Sequence, residues 1–401
     1  MSASAVGSVP RQLTSYVFLL AARLVGIFIL PAQVPGDPVG LIEELFTAPL
    51  ATVRSWPSAL VRQLLLQLVR LEKFTLPEDS QLVRLHTMRQ RYLAAGWEAT
   101  SVTTPDAVVL DALVRPPPAA LAEPRFVLFV GGNFQKYEDW LPYFDAYARA
   151  AGVGFLAFNF RGVGRSEGAV CCAADMLTDV HACIDALLAR GVRPAHLCVH
   201  GFSIGGAVSA LALASRQQPG VAFVSDRSLR SLPHTIYGMV RGLPPSGALE
   251  AAAPRADDNG GGGADDGEGV VMMHGRWVRP GLRAAALRRA ECWVRGAAAA
   301  IAGAAVRALG WELPAEAGWA ARIPGPKLVL YHRADNVVHY EAASLHLALK
   351  DAGDVGDVQE VEVRRLGHRG WGPHDFPLVA DEVAWKALIA RVRETLGVPD
   401  S

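Results

Sequence analysis

Ser203 lies in a glycine-flanked pentapeptide that could present a nucleophile. Residues Gly201-Phe202-Ser203-Ile204-Gly205 match the pattern G-x-S-x-G, with a strand-like apolar run before them and a helical pattern after them. A serine at the tip of a tight strand-to-helix turn has strained backbone dihedrals, and side chains two positions away would collide across the turn. Glycine at both positions removes that collision, so Ser203 is a candidate for attack on a carbonyl carbon.

A serine hydroxyl is a weak nucleophile and needs a histidine base whose orientation is fixed by a carboxylate. Asp335 follows a predicted strand at Lys327–His332, and His368 follows a predicted strand at Val358–Leu366. The carboxyl ends of parallel strands share one edge of a sheet. We therefore expect Ser203, Asp335 and His368 to converge there as nucleophile, acid and base.

Each of these assignments has an alternative nearby. Asp226 follows another apolar run and could replace Asp335, although its neighbour Arg227 favours a structural ion pair. His374 lies six residues beyond His368 and could replace it. His200, within the strand before Ser203, is interpreted as a buried and hydrogen-bonded residue rather than a base.

Acyl transfer also needs backbone donors for the oxygen that becomes negative in the transition state. The amide of Ile204, directly after the serine, is the first candidate. The second is expected in the loop Gly131-Gly132-Asn133-Phe134, which follows an apolar run at Phe126–Val130. We assign the second donor to Asn133, with Phe134 as the alternative.

Strand-like and helical patterns alternate along most of the chain, which is typical of a parallel sheet built from βαβ units. The α/β fold class follows, with a mostly parallel eight-stranded sheet flanked by helices. The predicted strands are 97–104, 108–114, 126–130, 154–160, 196–200, 221–225, 327–332 and 358–366. The predicted helices are 81–95, 140–151, 174–190, 207–215, 340–352 and 380–396.

The sheet pattern occupies residues 96–232 and 324–401, which defines the predicted core. Residues 233–323 interrupt it as a predicted helical cap insertion, whose Gly/Asp-rich segment 244–269 has too little apolar surface to fold. Residues 1–95 form a predicted helical extension. The second part of the cap, Val270–Gly310, is rich in arginine. We expect it to be helical and either to pack on the core or to face an anionic membrane surface.

Tyr16–Leu30 is the one segment that suggests a membrane, since it is apolar apart from Arg23. As a helix it would span about 22 Å, short of a bilayer core of about 30 Å. A packed or interfacial helix, a signal anchor, a transit peptide and a cleaved secretory signal all remain open. We expect an intracellular protein, with membrane association through this segment as an open question.

Composition excludes several classes of protein. Lys+Arg and Asp+Glu are equal at 39 each, which leaves no basic excess for binding nucleic acid through its phosphates. Five cysteines without a C-x-x-C pair indicate reduced, mostly buried thiols and no zinc site. We expect neither a metal nor a cofactor.

With these residues in hand, the chain resembles the α/β-hydrolase-fold serine hydrolases. The similarity covers about residues 97–232 and 324–398, and the loop Phe160-Arg161-Gly162-Val163-Gly164-Arg165-Ser166-Glu167-Gly168 resembles a loop common in that superfamily. The phrase SDRSL at 225–229, the GGNFQKYED loop at 131–139 and the helical extension are similar to the bem46-like and chlamydial CHLPS-type (DUF818-like) group. The oxyanion loop departs from many relatives, which have His-Gly where this chain has Gly131-Gly132.

The resemblance implies a metal-free hydrolase of ester, thioester or amide bonds. Our leading interpretation is a lipase, esterase or acyl-thioesterase that acts on an acyl-ester or lipid-like small molecule, with a membrane surface as a candidate partner. A peptidase or amidase would use the same residues. A catalytically silent binding protein of the same fold is the second alternative.

Overall fold

The computed structural model describes residues 79–133, 135–241, 311–319, 323–353, 358–368 and 371–399, with short stretches between 271 and 307. The apolar segment Tyr16–Leu30 and the Gly/Asp-rich segment 244–269 lie outside the described residues. The predictions made for both stay predictions. The division into extension, core and cap also stays a prediction.

Eight strands form one mostly parallel sheet in the order β1-β2-β4-β3-β5-β6-β9-β10. Only β2 runs opposite to the other strands, since it pairs antiparallel with β1 and β4 while every other pair in this sheet is parallel. The strands are β1 (Glu98–Thr103), β2 (Val109–Arg115), β3 (Phe126–Val130), β4 (Gly154–Phe158), β5 (Leu197–Phe202), β6 (Ala222–Asp226), β9 (Lys327–Tyr331) and β10 (Val358–Glu362). This is the predicted α/β class with a mostly parallel eight-stranded sheet, and β3, β4, β5 and β6 are buried along their whole length, as central strands of such a sheet must be.

Helices cover both faces of the sheet. The described helices are α1 (Asp79–Ala94), α2 (Tyr137–Ala151), α3 (Ala173–Ala189), α4 (Ile204–Arg216), α5 (Leu232–Arg241), α6 (Ala315–Gly318), α7 (Tyr340–Ala343), α8 (Leu345–Ala352) and α9 (Glu382–Leu396). Apolar side chains of α2 and α9 form one buried cluster with alternate strand residues, and those of α3, α4 and α8 form a second cluster with the others. Successive side chains of a strand point to opposite faces of the sheet, so each strand contributes alternate residues to the two clusters.

Three elements differ from the sequence predictions. The helix expected over residues 340–352 is divided at Ser344, because Ser344 has extended backbone (φ −65°, ψ 130°) and bridges to Leu229. The expected helix after residue 270 begins instead with a short antiparallel pair, β7 (Val271–Met273) and β8 (Arg276–Val278). β-Branched and aromatic residues there favour extended backbone.

The third difference is that β10 ends at Glu362 rather than at Leu366. The amides of Arg364 and Arg365 donate to Asp381 Oδ2, at 2.8 and 3.0 Å, instead of continuing the sheet ladder. The other oxygen of Asp381 caps α9 by accepting from the amide of Ala384, at 3.1 Å. Asp381 thus joins the two ends of the long connection between β10 and α9.

The described cysteines carry no disulfide. Cys183 and Cys198 are buried, and burial raises the pKa of Cys198 to about 12, so neither is a reactive thiolate. Cys171 is exposed and Cys172 is half-buried, which corrects the expectation that the thiols are mostly buried. Among the described residues no helix is both long and apolar enough to cross a bilayer.

Replacement of Asp381 by alanine should destabilise the fold in a pH-dependent way. Burial alone would raise the pKa of Asp381, but its backbone donors outweigh burial and lower it below 3.8. A depressed pKa in the folded state contributes stability above the unfolded-state value that is lost as the pH falls through the folded-state value. We expect Asp381→Ala to cost about 1 to 2 kcal/mol at pH 7 in urea unfolding, as for loss of an N-cap.

The same variant should approach wild-type stability as the pH falls from the ordinary carboxyl pKa of 3.8 through the lower folded-state pKa of Asp381. A suitable control is Glu382→Ala, which removes the neighbouring, exposed carboxylate that pairs with Lys386. A penalty for Asp381→Ala that stayed constant from pH 7 to pH 2 would contradict the assignment of this carboxylate as an ionised clamp.

Candidate functional site

Ser203 occupies the turn between β5 and α4, and its backbone is strained. Its φ is 54° and its ψ is −123°, a conformation that side-chain-bearing residues rarely adopt. The amide of Ser203 donates to the carbonyl of Asp226 at 2.9 Å. Its carbonyl accepts from the Ser228 hydroxyl at 2.8 Å and from the Gly206 amide at 3.1 Å. The turn is therefore held from the neighbouring strand as well as from its own helix.

Neighbouring atoms leave no room for a Cβ at three glycines around Ser203. A Cβ on Gly201 would lie 2.5 Å from the Cα of Gly206, and a Cβ on Gly205 would lie 2.2 Å from the carbonyl oxygen of Val130. A Cβ on Gly206 would meet the Ser228 hydroxyl at 2.5 Å. The space at Gly201, Gly205 and Gly206 is therefore too small for a side chain.

Three side chains from separate loops meet at this turn. His374 Nε2 lies 2.9 Å from Ser203 Oγ, and His374 Nδ1 lies 2.7 Å from Asp335 Oδ2. A carboxylate oxygen can only accept, so Nδ1 donates to Asp335 and Nε2 faces the serine hydroxyl. All three residues are buried, with exposed fractions of 6, 3 and 2% for Ser203, His374 and Asp335.

The carboxylate of Asp335 is fixed by its own loop. Oδ1 accepts from the amides of Val337 and Val338 at 2.8 and 2.7 Å, which leaves Oδ2 directed to His374. These two backbone donors fix the orientation of the carboxylate. Asp335 therefore lies where its position after β9 predicted it.

His368 does not take the position expected of the base. Its backbone forms a tight turn with Trp371, with both amide-to-carbonyl hydrogen bonds at 3.1 and 2.9 Å. Because β10 ends early, the chain makes this turn before it returns to the sheet edge, and the histidine that reaches Ser203 is His374. The alternative considered from the sequence, His374, is thus the histidine that contacts both Ser203 and Asp335.

Asp226, the alternative acid, is engaged elsewhere. Its two oxygens accept from Arg227 Nε and Nη2 at 2.8 and 3.1 Å, and Oδ2 lies 3.6 Å from His200 Nε2. Burial alone would raise the pKa of Asp226, but the charge of Arg227 outweighs burial and lowers it to about 2. His200 is fully buried, and its Nδ1 lies 3.3 Å from the Tyr147 hydroxyl, as expected for a structural histidine.

The loop after β3 approaches Ser203 closely because it lacks side chains there. A Cβ on Gly132 would lie 2.8 Å from the Phe202 ring and 3.2 Å from the Cβ of Ser203. The Gly132 amide donates to Gln135 Oε1 at 2.7 Å, so this amide is already occupied. Asn133 follows in an exposed turn, and the alternative residue, Phe134, lies outside the described residues.

A second histidine joins the loops that carry Asp335 and His374. His332 Nδ1 accepts from the amide of Ala334 at 3.0 Å, which leaves Nε2 to donate to the carbonyl of Arg365 at 2.9 Å. Burial lowers the pKa of His332, in keeping with a neutral ring in this link. Sequence reasoning assigned no role to this residue.

Aromatic rings line one side of the arrangement. The Phe202 ring lies 5.1 Å from His374 and 6.1 Å from Trp140, and Trp140 meets Trp371 edge-on at 5.7 Å. Trp371 is 48% exposed. An apolar wall therefore extends from the buried serine to solvent. In the described part of the chain, no cluster of three or more His, Cys, Asp or Glu side chains could hold a metal ion.

The known proteins that this chain resembles are solved structures with low sequence identity to it. No family model and no curated protein matches the chain. It is similar to an esterase of Pyrococcus furiosus, at 16% identity and a TM-score of 0.46, over 76% of this chain and 92% of that one. It is also similar to an α/β hydrolase of Vibrio vulnificus, at 15% identity and a TM-score of 0.48, over 86% and 95%.

A third solved structure, Est1E of Butyrivibrio proteoclasticus with ferulic acid bound, shares 15% identity at a TM-score of 0.45, over 73% of this chain and 99% of that one. Likeness at this level carries no argument about activity.

Replacement of Gly205 by alanine should disrupt this turn. The new Cβ would overlap the carbonyl oxygens of Val130 and Gly131 at 2.2 and 2.4 Å, and backbone cannot yield as a flexible side chain can. We expect a loss of about 1 to 3 kcal/mol or more in the free energy of unfolding, measured by urea denaturation.

Gly303→Ala is the matched control, because a Cβ there would meet Pro233 only at ordinary contact distances of 3.5 and 3.7 Å. Alanine in a helix should leave stability unchanged or raise it slightly. Equal stability of the Gly205 and Gly303 variants would be inconsistent with the tight turn described here.

Proposed function

We propose that the protein is a serine hydrolase that cleaves carboxylic ester or thioester bonds through an acyl-enzyme intermediate. Ser203 is the nucleophile, His374 the general base and acid, and Asp335 the residue that orients His374. The single observation that carries the proposal is the continuous contact from Ser203 Oγ to His374 Nε2 and from His374 Nδ1 to Asp335 Oδ2. His368, the base expected from the sequence, has no part in it.

The first half-reaction forms the acyl-enzyme. His374 Nε2 accepts the hydroxyl proton as Ser203 Oγ bonds to the carbonyl carbon, and the carbonyl oxygen takes up the negative charge. The imidazolium, stabilised by Asp335, then returns the proton to the departing oxygen or sulfur as its bond to carbon breaks. In the second half-reaction water attacks the ester of Ser203 by the same proton transfers and releases the acid.

The amides of Ile204 and Asn133 are our proposed donors to the negatively charged oxygen. Ile204 begins α4, where backbone N–H groups lack partners within the helix and the helix dipole favours negative charge. Two observations support a donor in this loop and favour the Asn133 amide. The Gly132 amide is already bonded to Gln135, and Gly132 itself brings the loop against Ser203.

Covalent labelling with a fluorophosphonate probe tests the proposal. Ser203 Oγ would bond to phosphorus, fluoride would leave, and the hydroxyl proton would pass to His374. We expect wild type to be labelled, Ser203→Ala to be unlabelled, and His374→Gln to react at least about 10³-fold more slowly, since removal of a triad member has effects of that size or larger.

His368→Gln is the matched control, because it makes the same substitution six residues earlier in the same connection. It should be labelled at the wild-type rate. Loss of labelling in His368→Gln but not in His374→Gln would reverse the assignment, and a folded wild type that resists the probe would count against the enzyme.

The bond type is tested with acyl esters, acyl thioesters and peptide amides offered to the same preparation. We expect turnover of esters or thioesters that disappears in Ser203→Ala. Turnover of amides alone would replace the proposed activity by that of a peptidase or amidase.

A further inference from the structure

Arg227, directly after β6, is a buried cation with contacts in several directions. Only 3% of it is exposed. Its Nε and Nη2 form the paired hydrogen bonds to Asp226 described above, and its amide donates to the carbonyl of Leu330 in β9 at 2.7 Å. Its φ of 45° lies in the left-handed region, where a residue with a side chain is strained. The surrounding structure therefore fixes both the backbone and the side chain.

The remaining nitrogen, Nη1, holds the segment that contains His374. It donates to the carbonyl of Phe376 at 3.0 Å and to that of Pro373 at 3.3 Å. These two carbonyls lie on either side of His374 in the chain. The guanidinium group also lies 4.9 Å from the ring centroid of Phe202 and 5.1 Å from that of Phe376.

These contacts join the serine side of the site to the histidine side. Phe202 immediately precedes Ser203, and its ring also contacts His374 at 5.1 Å. A single guanidinium thus contacts the residue before the nucleophile and both flanks of the base. The planar fork of arginine can make all of these contacts at once, whereas a lysine ammonium has one nitrogen to place.

We propose that Arg227, held by Asp226, is the positioning residue that fixes His374 within hydrogen-bond reach of both Ser203 and Asp335. This inference rests on the proposed hydrolase function for its kinetic consequence. Arg227 contacts neither the hydroxyl of Ser203 nor the ring nitrogens of His374 in the described hydrogen bonds, so it acts through the backbone of residues 373–376. A misplacement of about 1 Å in such a site can cost about 10²-fold in rate.

The main variant removes both charges, Asp226→Asn together with Arg227→Met. A buried ion pair replaced as a unit often leaves stability nearly unchanged, whereas removal of one partner strands a buried charge. We expect the folded double variant to react with the fluorophosphonate probe about 10²-fold more slowly than wild type, and to lower kcat for an ester substrate with little change in KM. The matched control, Asp185→Asn with Arg216→Met, removes the more exposed pair of the same residue types and should leave both rates unchanged.

A proton resonance supplies a readout that a purely structural role would not change. The proton between His374 Nδ1 and Asp335 Oδ2 should give a strongly deshielded signal in wild type and in the control. In the folded Asp226/Arg227 double variant this signal should broaden or disappear. Labelling at the wild-type rate with the signal intact would overturn the positioning role and leave the hydrolase proposal standing.

A second variant covers the case in which the double variant fails to fold. Arg227→Lys keeps the charge beside Asp226 but cannot hold both oxygens of that carboxylate and the two carbonyls together. We expect labelling at least about tenfold slower than wild type, and a wild-type rate would overturn the proposal. If folded wild type is not labelled at all, the hydrolase proposal fails. The deshielded proton of Arg227→Lys then still tests the positioning role, because its loss supports that role and its retention contradicts it.

Discussion

The strained backbone of Ser203 is the constraint on which the site depends. A conformation with φ of 54° persists only where its surroundings fix it from more than one side. Here the pairing of β5 with β6 sets Phe202 opposite Asp226, so the carbonyl of Asp226 reaches the Ser203 amide. Ser228, two residues on, reaches the Ser203 carbonyl. The pairing register of β5 and β6 therefore fixes the direction in which the Ser203 hydroxyl points.

Buried polar contacts connect the loops that meet at this point. His332 joins the loop after β9 to the connection after β10, and Asp381 closes that connection at the start of α9. A buried polar group without a partner costs about 1 to 3 kcal/mol, so displacement of any one loop would leave donors and acceptors unpaired in the others. The loops are irregular in backbone, yet their relative positions are tightly determined.

The elements that can be predicted from the sequence are those indicated by a pattern of neighbouring residues. The apolar run at Phe126–Val130 has the bounds of β3, Ser203 directly follows β5, and Asp335 lies in the loop that begins where β9 ends. His374 differs because it lies far along an irregular connection, where neither periodicity nor strand position applies. The carbonyls of Pro373 and Phe376, on either side of it, accept from Arg227, a residue that is distant in sequence.

Tertiary contacts also explain the other differences from the sequence prediction. The helical pattern at 340–352 is uninterrupted in sequence, but Ser344 is drawn into a bridge with Leu229 and the helix divides there. The apolar alternation after Val358 continues past Glu362, but the amides of Arg364 and Arg365 bond to Asp381 instead of to β9. In each case a contact with a residue far along the chain overrides the secondary-structure preference of the local sequence.

The adjacency of β6 and β9 has a consequence for how freely this chain can vary in length. These strands pair in parallel from Phe223 with Lys327 to Asp226 with Leu330, although the whole segment between residues 226 and 327 separates them in sequence. Closing a loop costs free energy that rises only logarithmically with length, by about 0.6 kcal/mol for each doubling. Closure entropy alone therefore penalises a longer connection little, and the strand register that orients Ser203 can stay the same when the length changes.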